Sequence, residues 1–266
     1  MEVINNKEEK PLEFYLEKYR EMDPAEMAAR CGLPYDGEAR TITMDLLGEQ
    51  FLVSHPDYTL VGPSPLTNAE RILFLRYLLD GRKAQPLGQY LTYRDFPWGE
   101  VYLQQFTGRC IKRFAFSYGA KLDLLNKIME KLPAKRLSRS DCGWEVELME
   151  GLTIQFLLWA GDDEFPPNAQ ILFSDNFRYA FTAEDLANIG DIVLNRMKSN
   201  SIRRRTVPLP PDGDTGPRPL QKILGGHTLA AAVLPWHLGM CFPPLPQQAA
   251  RILPLPNLPG GHHSPG

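Results

Sequence analysis

Three consecutive acids, Asp162, Asp163 and Glu164, stand in LLWAGDDEFPPNAQILFSDN, Leu157 to Asn176, between two apolar runs. Carboxylates grouped in this way can coordinate a hard cation or act as general acid and base. Their spacing is unlike that of a calcium loop, which draws oxygens from alternate residues, and Pro166-Pro167 stiffens the chain that follows. Asp175 closes the next apolar run. If the runs ending at Ala160 and starting at Ala169 pair as a hairpin, Asp175 lies about 20 Å from the acids at about 3.3 Å per residue, outside any compact site. The favoured reading is a solvated turn: Gly161 supplies a turn dihedral, Phe165 staples the loop to the core, and the acids discourage edge pairing. Metal binding by Asp162, Asp163 and Glu164 is the alternative.

A second group is aromatic. Tyr90, Tyr93, Phe96 and Trp98 crowd a loop between helical patterns, where with Arg94 and Asp95 they can line an apolar pocket for a flat ligand. Tyr90, Tyr93, Arg94 and Trp98 are the candidate ligand-binding residues, with sealing of a core edge as the competing role. Hydrolytic chemistry has less support: His55, the only histidine before residue 200, precedes Pro56 in an expected solvent-facing turn, and no GxSxG elbow is present. No Walker loop or Rossmann fingerprint occurs, so the cofactor stays unknown. Cys31, Cys110, Cys142 and Cys241 include no CxxC pair, which disfavours structural zinc and iron–sulfur sites. No catalytic residue is assigned.

The elements that must position these residues follow from periodicity. Leu12, Tyr15, Leu16 and Tyr19 recur at helical spacing, and Asp23-Pro24 caps a second helix that stops at Gly32. Ile42, Met44 and Leu46 alternate with polar residues, and Gly48-Glu49 turns the chain into Phe51-Leu52-Val53. Thr67 and Glu70 make a capping box for a helix ended by Gly81. Leu103, Phe106, Cys110, Ile111 and Phe114 mark one helix face, and Leu122 to Leu132 another, ended by Pro133. Trp144, Val146 and Leu148 predict a strand, Leu152 to Ala160 a central strand, and Ala169 to Ser174 the last one. Thr182 and Asp185 cap the final helix. This order does not alternate strictly, so the expected fold is α+β, a mainly antiparallel sheet packed against helices.

Residues 201–266 hold 13 of the 24 prolines, 8 of the 21 glycines, six basic and two acidic residues. They are read as an irregular tail, largely disordered, after a globular domain over 1–200. The net charge of −3 therefore sits on a body with 23 basic and 30 acidic residues, which disfavours nucleic acid as partner. The N-terminus lacks a secretory apolar run and no stretch of about 18 apolar residues exists to span a bilayer, so a cytoplasmic protein without membrane contact is expected.

The acidic "GD-E-F-P" turn, the strand ending in tryptophan, and the capped helix TAEDLANIGDIVLNRM from Thr182 resemble the bacterial family known as domain of unknown function 3786. The resemblance covers about residues 10–198 and includes the Asp23-Pro24-Ala25-Glu26 helix start, Phe51-Leu52-Val53-Ser54 and the Leu73 to Leu79 helix. It implies a setting in anaerobes beside redox or corrinoid-related proteins, and no catalytic residues. The expected function is an accessory or binding module for a small-molecule or protein partner. The alternatives are an enzyme using the acidic turn, with or without a metal, and a protein that interacts through its tail.

Overall fold

The computed structural model describes residues 9–202. The expected irregular tail, with its apolar stretch Leu229 to Phe242 and its His262-His263 pair, falls outside the described residues beyond Ile202. The chain opens with α1 (Glu9–Glu21) and α2 (Pro24–Cys31). Asp23 caps α2: its Oδ1 accepts the amides of Ala25 at 2.8 Å and Glu26 at 3.0 Å, donors that find no partner inside a first helical turn. Pro24 occupies the first helical position, where a missing N–H is harmless.

A small antiparallel sheet follows, in the order β1 (Tyr35–Asp36), β2 (Thr41–Leu46), β3 (Glu49–Ser54) and β4 (Leu60–Val61). Ile42, Met44 and Leu46 are buried as their alternation predicts. The turn between β2 and β3 is Leu47-Gly48, one residue earlier than the sequence suggests, because Leu46 pairs with Glu49. Both turn residues have positive φ, 51° and 80°, the dihedrals of a two-residue hairpin whose twist matches its strands; glycine takes the second without steric cost. The Leu47 amide donates to the Leu148 carbonyl at 2.8 Å and stitches this sheet to the larger one.

Helix α3 (Asn68–Asp80) starts with the expected capping box of Thr67 and Glu70. The chain then runs through β5 (Tyr90–Thr92), α4 (Gly99–Phe106), α5 (Arg113–Tyr118) and α6 (Leu122–Met129). Strands β6 (Ala134–Leu137), β7 (Cys142–Met149), β8 (Leu152–Trp159) and β9 (Asn168–Ser174) come next, then α7 (Phe177–Ala180) and α8 (Ala183–Ile202). The larger sheet is antiparallel throughout, ordered β5-β9-β8-β7-β6, with the apolar β8 at its centre. Its registers place Cys142, Trp144, Val146, Ile154, Phe156, Ile171 and Phe173 on one face. The helices pack there: Phe114 of α5 meets Phe156 edge-on at 5.3 Å, and Phe106 of α4 meets Phe173 at 5.9 Å. The opposite face carries Tyr90, Glu145, Thr153 and Gln155. The fold is α+β, and one continuous apolar core joins both sheets to the helices. Among the described residues no helix is long and apolar enough to cross a membrane.

Three local expectations are corrected. The helix drawn through Phe106, Cys110 and Phe114 is broken by a π turn, Thr107–Lys112, which inserts a residue into the helical ladder. It brings the Cys110 thiol against Gly190 of α8, where a Cβ would lie 2.6 Å from the sulfur. His55 is buried rather than solvent-facing. A guanidinium only donates, so at 3.0 Å from Arg40 Nη2 the His55 Nδ1 accepts, and Nε2–H donates to the Tyr19 carbonyl at 3.1 Å. Phe165 is 67% exposed and staples nothing.

Candidate functional site

The acidic turn joins β8 to β9, whose pairing of Trp159 with Asn168 makes them the expected hairpin. Asp162 Oδ1 accepts the amides of Glu164 at 2.9 Å and Phe165 at 2.7 Å, and the Asp162 amide donates to the Phe165 carbonyl at 2.9 Å. This carboxylate closes its own turn, a local role that aspartate fills wherever its side chain reaches the amides two and three residues on. Asp163 and Glu164 are exposed beside it. Among the described residues no three His, Cys, Asp or Glu side chains form a group that could hold a metal ion. Asp175 lies at the other end of the hairpin, next to Ser174, which pairs with Tyr90. β5 covers only the Leu172–Ser174 half of β9, so the acids stand beside the half that no strand covers.

The four aromatic-loop candidates are dispersed. Tyr90 opens β5, a strand where the sequence suggests a loop. Its hydroxyl donates to Glu145 Oε2 at 2.7 Å, lies 2.7 Å from Thr153 Oγ1, and so belongs to the polar face of the sheet. Gln155 Nε2 donates to the same Glu145 oxygen at 3.0 Å. Burial, with the bond to the Glu145 carboxylate, pushes the Tyr90 hydroxyl up to about 12 against the opposing bond from Thr153. Tyr93 turns into the core: 1% exposed, its ring stacks on Phe106 at 4.1 Å and its hydroxyl donates to the Ala183 carbonyl at 2.8 Å. Arg94 pairs with Glu100 at 2.8 Å in solvent, and Trp98 is 70% exposed. Tyr93 thus seals the core, the competing role weighed for these aromatics, and offers no surface to a ligand.

A different place has the shape of a site. The loop 82–89, between α3 and β5, faces the turn 175–179 across a cleft of about 480 Å³. Asp175, buried at 6% exposure, builds the cleft. Its carboxylate accepts the Leu87 amide at 3.0 and 3.1 Å and the Gln89 amide at 3.2 Å, while its own amide donates to the Gln89 carbonyl at 3.0 Å. Asn176 Nδ2 donates to the carbonyls of Ala84 at 3.1 Å and Gly151 at 2.7 Å. The Arg82 amide donates to the Tyr179 carbonyl and the Lys83 amide to the Arg30 carbonyl, both at 3.0 Å. A loop rich in Pro, Gly and Gln is thereby held at both ends and in the middle, so its inner wall is preformed.

The charges in the cleft are distributed unevenly. Lys83 pairs with Glu150 at 3.1 Å. The Arg82 guanidinium lies over the Tyr179 ring at 4.9 Å, and neither it nor that of Arg178 has a carboxylate or carbonyl acceptor among the described residues. Burial pushes the Cys31 thiol up to about 11 and that of Cys110, against α8, up to about 12. The sequence pattern placed Asp175 only at the end of the last strand, outside any compact site with the acidic turn. Its partners lie 86 and 88 residues away, and no local pattern carries them.

No curated protein and no solved structure matches this chain. Residues 23–196 match the family model described as Domain of unknown function (DUF3786), a span inside the expected 10–198 that holds both sheets and the whole cleft, and the chain belongs to that family.

Proposed function

We propose that this domain is a non-catalytic binding module whose site is the cleft between the loop 82–89 and the turn 175–179. One observation carries the reading: a cleft of about 480 Å³ whose wall is strapped in place through the buried Asp175. That volume lies within the range of ordinary small-molecule pockets, roughly 300–1,000 Å³, and a preformed wall spares a ligand the entropy of ordering the loop. The one carboxylate in the cleft spends its oxygens on backbone amides, which leaves it poorly placed to take a proton from a substrate. Family resemblance supports an accessory role in anaerobic redox or cofactor metabolism, and the N-terminal composition and scattered cysteines support a place in the cytoplasm.

The test uses the full chain and three defined probes, phenyl phosphate, benzoate and indole, observed by saturation-transfer NMR. Binding of at least one probe is expected, and Ala84→Trp or Gln85→Trp, which fill the cleft, should abolish it. Equal melting temperatures of the variants establish that the fold survives. Transfer that is absent for all three probes, or unchanged in both tryptophan variants, rejects the cleft as the site.

A further inference from the structure

We infer that the ligand of this cleft is a small molecule carrying at least two oxyanion groups, gripped between Arg82 and Arg178. The inference rests on the cleft being the binding site and adds the chemistry of what it binds. Five other arginines are neutralised by acids: Arg76 by Asp185, Arg94 by Glu100, Arg109 and Arg113 by Asp191, Arg196 by Glu49 and Glu70, and Arg30, Arg40, Arg136 and Arg139 bond to carbonyls, the His55 ring or neutral side chains. Arg20 and Arg71 also lack an acid partner among the described residues, so what sets Arg82 and Arg178 apart is that both line one cleft. The backbone bond from the Arg82 amide to the Tyr179 carbonyl sets Arg82 beside the residue that follows Arg178, so both guanidiniums emerge at the same wall. An anion in the cleft is attracted by both cations, neither of which has an acid partner among the described residues.

The nearest acids do not serve. Asp175 faces the loop amides and Glu150 faces Lys83. A guanidinium presents a rigid fork of donors that matches a carboxylate or a phosphate two bonds at a time. Stacking on Tyr179 limits the orientations open to the Arg82 fork. The rest of the cleft suits the body of such a molecule. Leu87, 85% exposed, and Tyr179, 41% exposed, offer apolar surface, and the Gln85 and Gln89 amides offer neutral donors and acceptors. A phosphorylated metabolite and a di- or tricarboxylate both meet this description, and their shared feature is paired oxyanions.

Calorimetric titration of the full chain with pyrophosphate and with citrate tests the inference, with indole as an uncharged control. Binding of one or both polyanions is expected, weakening as sodium chloride is raised, and the stronger of the two identifies phosphate or carboxylate as the recognised group. Arg82→Gln and Arg178→Gln should each weaken it about tenfold or more, the loss of one charge-assisted hydrogen bond or more. Arg178→Lys, which keeps the charge but not the fork, should recover only part of the loss. Both arginines are exposed, so these variants are expected to melt with the wild type. Failure of both polyanions to bind, or equal binding by the Arg82→Gln/Arg178→Gln double variant, overturns the inference. If phenyl phosphate, benzoate or indole still binds in that case and Ala84→Trp abolishes the binding, the binding module stands and only its ligand class falls; if none of the three binds, both fall.

Discussion

Asp175 sets the geometry of the cleft because an ionised carboxylate buried in a fold must spend its charge on donors, and it finds them in the Leu87 and Gln89 amides. Removing it orphans those amides. Asp175→Ala is expected to cost about 2–3 kcal/mol of folding stability in urea titration, the cost of lost hydrogen bonds to a charged group. Amide exchange at Leu87 and Gln89 should accelerate with it, and unchanged exchange would show that the loop is held by other means. Individual residues were unevenly legible in the sequence. Asp23, Thr67 and Thr182 declare themselves as caps because their partners lie two or three positions on. His55 and Asp175 do not, since Tyr19, Arg40, Leu87 and Gln89 reach them only through the folded chain.

At the scale of elements, the long periodic segments followed their patterns and the short ones did not. β2, β3, β7, β8 and β9 each bury side chains by alternation or by a continuous apolar run. β5, only Tyr90–Thr92, has no periodicity to read; it exists because Leu172–Ser174 present backbone partners to it. β6, Ala134–Leu137, carries Lys135 and Arg136 and likewise gains its conformation by pairing with β7. The π turn between α4 and α5 escapes a 3.6-residue reading because it is a departure from that period. Its fit to α8 depends on Gly190 having no side chain. Gly190→Ala should destabilise the protein by about 1–3 kcal/mol, the range for overpacking a close contact, seen as a lower melting temperature. A neutral or stabilising effect would mean that the π turn relaxes to admit the methyl group.

For the whole molecule, sheet, helices and core were readable from composition and pattern, whereas the cleft was not, because it arises where the end of β9 meets the chain leaving α3. Sequence reasoning looked for chemistry where polar residues are dense along the chain, in the acidic turn and the aromatic loop. The fold instead gathers, beside a buried carboxylate, two arginines that have no acid partner among the described residues, from segments about ninety positions apart. The most direct measurement is a map of backbone amide shifts in the full chain titrated with phenyl phosphate. The largest shifts are expected at Arg82 to Gln89 and at Phe177 to Tyr179, with Asp162 to Phe165 unmoved. Shifts centred on Asp162 to Phe165 would contradict the cleft as the place where this protein binds its ligand.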